Sequence, residues 1–249
     1  MDSEQKTKIL QEVVCLKAYH IYLLRHGLTQ ANSEGRYVGR LDEPLSQEGA
    51  EKLAELARSC EYPAAELYFA SPKKRCLQTF RILYPNEEPE VVPELAECDF
   101  GDYEGKTFEE LKNDPDYRRW ASGGGVEAPP HGESSRDFAL RSCAAFERIV
   151  DRMLRAGTST AALLVHGGTI MAILGTYAFP RRPMFEWLSD NGMGYELLLT
   201  PQLWMNAKAV EVAGIVPEGG ERLSSERFRQ LRREFSRRMQ NGEEDGEPS

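Results

Sequence analysis

The 249-residue sequence is 41% hydrophobic and 29% charged, which is enough apolar material for one large core. Its formal net charge of -9 makes nucleic acid and anionic membranes poor default partners. Five scattered cysteines, no Cys/His ligand spacing and no apolar run near the ~20 residues of a membrane span argue against a disulfide scaffold, a metal centre and a spanning helix.

The elements are taken in chain order. Residues 1–18 read as a polar N-terminal extension, with one or two helical turns over Lys8–Leu16. They lack the apolar core of a signal peptide, so a reduced, cytoplasmic location is the expectation. The apolar run His20–Leu24 predicts a buried parallel strand ending at Arg25-His26-Gly27. Ser46 is a candidate N-cap for a helix carrying Leu53 and Leu56. Residues 66–70 predict a second strand, broken by Ser71-Pro72, with a helix through Arg75, Thr79 and Leu83 after it. Val91-Val92 reads as a short third strand.

Residues 98–135 are irregular and rich in Gly and Pro, and read as a cap or lid rather than a linker. A long helix is expected from Ser135 to Arg155. Ala161–Val165 predicts a fourth strand, running into His166-Gly167-Gly168 and a further helix. Residues 194–200 and 207–213 read as two later, antiparallel strands. The expected domain covers 19–213. Beyond it, residues 214–249 hold an Arg-rich helical segment over 221–240 and an acidic tail expected to be disordered.

Strands alternating with helices predict an α/β fold, a layered domain with a mostly parallel central sheet. In such sheets ligands bind beyond the carboxyl ends of the strands. His26 and His166 stand at two of those ends, and Arg25 and Arg75 lie in the same zone. Two Arg and two His with no carboxylate in their motifs suit a small dianion, because guanidinium forks match phosphate oxygens and need no metal to offset the charge. A neutral imidazole can attack phosphorus while the remaining cations stabilise the equatorial oxygens. The leaving oxygen then needs a proton, and Glu94, Glu97, Asp99, Asp102 and Glu104 are all candidates to supply it.

Ile21-Tyr22-Leu23-Leu24-Arg25-His26-Gly27-Leu28-Thr29, with Asn32 beyond it, resembles the signature of the histidine phosphatase superfamily, the phosphoglycerate mutase-like branch 1. Tyr37 to Ser46, Ser71 to Thr79, Leu95 to Gly105 and Val165 to Thr169 resemble further motifs of that family in the same order. The resemblance implies a three-layer αβα sandwich, phosphoglycerate mutase-like. It implies His26 as nucleophile, Arg25, Arg75 and His166 as holders of the phosphoryl group, and Glu97 as proton donor. Asn32 and the Gly39 backbone become further phosphate contacts. No cofactor or metal is implied, and the partner is a small phosphorylated substrate, with no nucleic acid and no membrane.

Residues 129–134 resemble a Pro-Gly-Gly-Glu-Ser loop of phosphatase members, with His131 in place of a small residue. The interval from Glu97 to His166 is shorter than in the mutases, which favours a phosphatase acting on a small metabolite. Glu97 to Gly101 is similar to α-ribazole phosphatases. The competing readings are a cofactor-dependent phosphoglycerate mutase and a non-catalytic phosphate-binding module.

Overall fold

The computed structural model describes residues 17–123 and 126–220. The expected helix over Lys8–Leu16, the Arg-rich segment 221–240 and the acidic tail lie outside the described residues. One seven-stranded sheet organises the chain. It is built from β1 (Tyr19–Arg25), β2 (Leu67–Ala70), β3 (Glu90–Val91), β4 (Thr160–Val165), β5 (Ala178–Phe179), β6 (Gly194–Leu199) and β7 (Val210–Val216), in the order β3-β2-β4-β1-β6-β7-β5. Strand β1 runs parallel to β4, β2 is parallel to both β4 and β3, and β5 is parallel to β7. Strand β6 is antiparallel to β1 and β7. The sheet is therefore mixed and mostly parallel.

The central strands are apolar throughout because both of their faces are covered. On β1, Ile21 and Leu23 enter the larger core cluster, whereas Tyr22 and Leu24 enter a second one on the opposite face. The first cluster is closed by α6 (Ser135–Ala156), through Phe146, Ile149, Val150 and Met153, and by α7 (Gly167–Tyr177), through Ile170, Ile173 and Leu174. The second is closed by α3 (Lys74–Leu83), through Cys76 and Phe80. Helix α2 (Gln47–Ser59), which Ser46 caps by accepting the Gly49 N–H, packs beside α3. Helices on both faces of one sheet give the three-layer sandwich.

Three expectations shift. The last strand begins at Val210, not 207, because α8 (Pro201–Ala207) precedes it. The Thr200-Pro201 pair is a helix start: Thr200 Oγ1 accepts the Leu203 N–H, and Pro201 takes the first turn. The strand also continues to Val216, past the expected domain end at 213. The third strand is Glu90–Val91, with Val92 N–H still bonded to Ala70 O.

The 98–135 segment holds two short helices, α4 (Phe108–Leu111) and α5 (Pro115–Ser122), both capped, by Thr107 and Asp114. With Tyr37 and Phe100 from outside these helices, their side chains form a small aromatic cluster around buried Tyr103, Leu111 and Tyr117. The Gly/Pro content hid this element, because its turns are too short to show a period. No described helix is long and apolar enough to cross a membrane.

Phe146 is fully buried, between α6 and the sheet, and stacks on Tyr177. Phe146→Ala is expected to lower unfolding free energy by about 3–5 kcal/mol, read from urea denaturation. A loss below about 1 kcal/mol would contradict this packing.

Candidate active site

Parallel pairing of β1 with β4 sets Arg25 opposite Val165. The residue after each strand is a histidine, so His26 and His166 emerge side by side at the carboxyl edge. Their ring centroids are 5.1 Å apart, and both rings are buried. His26 Nδ1 lies 2.7 Å from the Gly27 carbonyl oxygen. A carbonyl only accepts, so Nδ1 carries the proton and Nε2 keeps its lone pair. Asn191 Nδ2 donates to the His26 carbonyl at 3.0 Å and fixes the main chain there.

Arg75 sits in the first turn of α3 and is 1% exposed. Its Nε donates to His166 Nδ1 at 3.2 Å, and its Nη atoms donate to Leu41 O at 2.8 Å and Gly39 O at 3.2 Å. His166 Nδ1 is thus the acceptor, and the proton sits on Nε2, 2.7 Å from Ser71 Oγ. Arg25 donates from Nη1 to Ser189 O at 2.6 Å, while its buried Nε–H has no partner. These four side chains are the ones the sequence placed at the strand ends.

Burial, with the guanidinium groups of Arg75 and Arg25 adding to it, holds His26 well below the usual histidine range. Burial also depresses His166, reinforced by Arg75 and by His26. Both rings are neutral near neutral pH. Glu97, which follows the short 3-10 turn Pro93–Leu95, accepts from Cys98 N–H and from Gly168 N–H, each at 3.0 Å. Burial raises its pKa, and those two hydrogen bonds and the two arginines oppose the rise.

The other four acid candidates are committed elsewhere. Glu94 pairs with Arg148 at 2.7 Å. Asp99 accepts from Gly101 N–H at 2.8 Å and lies 3.7 Å from Arg40. Asp102 faces His131 at 3.1 Å. Glu104 takes the amides of Gly39, Arg40, Leu41 and Phe100.

Two expected phosphate contacts are engaged within the protein. Asn32 closes a capping box with Thr29 on α1 (Gln30–Glu34), its Oδ1 accepting the Thr29 N–H. The Gly39 N–H points at the Glu104 carboxylate, at 3.0 Å. Gly39 owes its identity to contact: a Cβ there would stand 1.5 Å from Cys98 O.

A cavity of about 570 Å³ opens beside Glu97, lined also by Arg40, Lys73, Asp99, Glu133 and Arg141. Among the described residues no cluster of three or more His, Cys, Asp or Glu side chains is placed to hold a metal ion. Ser71 and Arg141 are the contacts that the sequence reading missed. Ser71 enters the sequence reading as a strand breaker and as the start of the Ser71 to Thr79 motif, and Arg141 falls within the expected long helix without being singled out.

A model of the histidine phosphatase superfamily (branch 1) matches residues 21–204. The adenosylcobalamin/alpha-ribazole phosphatase of Escherichia coli is 27% identical over 178 residues, covering 69% of this chain and 86% of the relative. The glucosyl-3-phosphoglycerate phosphatase of Mycolicibacterium vanbaalenii is 29% identical over 213 residues, covering 83% and 89%. Among solved structures, a phosphoglycerate mutase from Thermus thermophilus is 28% identical with a TM-score of 0.56, covering 79% of this chain and 97% of its own. A putative alpha-ribazole-5'-P phosphatase from Escherichia coli shares the fold with a TM-score of 0.65 at 23% identity, covering 78% and 94%.

The buried neutral histidines leave a signature in stability. The unfolded chain binds more protons than the folded one below about pH 6.5, so stability falls as pH drops through that value. Glu97 has the opposite sign: its raised folded pKa gives stability at low pH that is lost as pH rises through the folded value. Urea unfolding at pH 7 and pH 5 is expected to show a smaller acid-side loss in His166→Asn than in the parent. An equal loss in both would rule out a buried neutral His166.

Proposed function

The chain belongs to the histidine phosphatase superfamily (branch 1), and on that premise we propose that it is a metal-independent phosphomonoesterase acting through a phosphohistidine. The observation that carries this reading is His26, held neutral with Nε2 free, among Arg25, Arg75 and His166. A phosphate monoester binds with its oxygens on the Arg25 Nε–H and on the guanidinium of Arg75, whose present acceptors are neutral main-chain carbonyls and an imidazole. Among the described residues Arg75 has no carboxylate at ion-pair distance, whereas Arg25 faces the charges of Asp190 and Glu97, so the positive potential a dianion needs is centred on Arg75.

His26 Nε2 attacks phosphorus in line, and the Nδ1–H bond to Gly27 O stabilises the imidazole as its positive charge develops. His166 and both arginines offset the charge on the equatorial oxygens. Glu97, whose pKa burial raises, gives a proton to the leaving oxygen when it is in its protonated form. Its carboxylate then takes a proton from water, which attacks the phosphohistidine and returns His26 to its neutral state. The cavity beside Glu97 gives water that access, and this favours hydrolysis over retention of the phosphoryl group for transfer. The substrate is a small phosphorylated metabolite, and the acid-type optimum follows from needing Glu97 protonated while His26 is neutral.

His26→Ala is expected to reduce hydrolysis of an aryl phosphate to background, with wild-type activity unchanged in EDTA. Surviving activity in the variant, or its loss in EDTA from wild type, would refute metal-free histidine chemistry. Glu97→Gln should lower kcat/KM, which reports the first phosphoryl transfer, by about 10²–10⁴-fold for an alkyl phosphate and far less for an aryl phosphate, because in that step only the poor leaving group needs the proton. It should also remove the decline of activity at rising pH. Equal slowing of both esters would eliminate Glu97 as the donor.

A further inference from the structure

Arg141 lies on α6, away from every strand end, and the mechanism above gives it no part. A guanidinium carries five N–H donors, and here all five are used. Nε donates to Glu133 Oε1 at 2.7 Å and Nη2 to Glu133 Oε2 at 2.8 Å, a bidentate pair. The other three bonds reach main-chain carbonyls. Nη1 donates to Glu94 O and Ala96 O, both at 2.7 Å, and Nη2 to Glu97 O at 2.9 Å. Arg141 lines the cavity beside Glu97, yet it has no donor left for a ligand. Its guanidinium also stacks on Phe138 of the same helix, with 5.0 Å to the ring centre.

One of these bonds reaches the peptide unit that carries the acid's own amide contact. The Glu97–Cys98 carbonyl is held by Arg141, and the N–H of the same unit donates to Glu97 Oε1 at 3.0 Å. Turning that plane would take the Cys98 N–H away from the carboxylate. Glu133 is itself seated on the acid segment, its N–H donating to Asp99 O at 2.8 Å. The 129–134 loop, α6 and residues 94–99 are thereby locked together behind Glu97.

We infer that the Arg141–Glu133 pair is the positioning device for Glu97, fixing the peptide plane that aims its carboxyl group, and that neither residue touches substrate. The inference rests on Glu97 being the proton donor. A positioning role moves readouts that a merely structural one leaves alone. The Cys98 N–H bond lowers the Glu97 pKa, so weakening it raises that pKa. Arg25 from β1, Arg75 from α3 and the Gly168 N–H from α7 face the same carboxylate, with His26 and His166 beyond, and all remain in the variants below.

The test uses Arg141→Lys and Glu133→Gln in the full chain, with aryl and alkyl phosphates across mildly acid to mildly alkaline pH. Lysine keeps the charge but cannot supply the fork. The expected result is a kcat/KM for the alkyl ester lowered about ten- to a hundredfold and an aryl kcat/KM within about threefold of wild type, without a rise in either KM. The alkaline decline of activity should move to higher pH. Equal slowing of both esters, a raised KM, or an unmoved alkaline limb in folded protein would overturn the inference. If Arg141→Lys does not fold, Glu133→Gln carries the test alone: it removes the carboxylate that fixes the orientation of the guanidinium against Glu97 O, so the same selective slowing is expected at smaller size, and an unchanged alkyl-to-aryl ratio would overturn the inference. Glu97→Gln measured in parallel separates the failures. If it slows both esters alike, the donor reading and this inference fall together. If it is selective and the other two variants are not, only the positioning inference falls.

Discussion

The site depends on one pairing, that of β1 with β4. Parallel strands in register place the residues that follow them at the same height and on the same edge. With Arg25 opposite Val165, the next residues are His26 and His166, and no loop conformation has to bring them together. The register is held by two-sided burial, since a slip of one residue would exchange the sets Ile21/Leu23 and Tyr22/Leu24 between two different cores. The His26 amide continues the ladder by donating to Val165 O at 3.0 Å, so the catalytic candidate is an extension of the sheet.

The cations around that pair are held in an unusual way for buried groups. A buried charge ordinarily needs a counter-ion. Arg75 instead donates to main-chain carbonyls of the 39–41 loop and to an imidazole, while Arg25 donates to Ser189 O and faces the charge of Asp190. Carbonyl dipoles solvate a guanidinium without cancelling its charge. The result is a positive cleft in a protein whose formal net charge is -9. Burial depresses both histidines, and the field of the two arginines adds to it and keeps the nucleophile candidate unprotonated.

The sheet and the strand-end residues were legible because they are governed by local rules. Apolar runs such as Leu23-Leu24 and Ala161 to Val165 mark doubly covered strands, and the carboxyl-edge rule then points to Arg25, His26, Arg75 and His166. What was not legible depends on contacts between distant segments. The order of α8 and β7 turned on reading Thr200-Pro201 as a helix start rather than a strand end. Residues 98–135 showed no period because α4 and α5 are one and two turns long and are held by aromatic packing of Tyr103 and Tyr117. No spacing rule separates Glu97 from Glu94 or Glu104. The distinction lies in surroundings: Glu97 is buried beside Arg75 and Arg25, whereas Glu94 pairs with Arg148 at the surface and Glu104 has four amides from two loops.

Glu97 itself is placed by main chain on every side. Its carboxylate sits against the start of α7, where a Cβ on Gly168 would come within 2.3 Å of Oε1. Only glycine lets the helix amide approach that closely. On the other side Gly39 allows the 38–41 loop to lie against Cys98 O. The Gly168 amide belongs to the first turn of α7 and cannot turn away without unfolding it, and the Cys98 amide lies in a loop plane that Arg141 holds through Glu97 O. That rigidity suits a group asked to hold a proton and release it in one position. Burial raises the Glu97 pKa, and two amides and two guanidinium groups oppose the rise. Under the proposed mechanism that opposition, fixed by backbone geometry, is what lets one carboxyl group act as acid toward the leaving oxygen and then as base toward water.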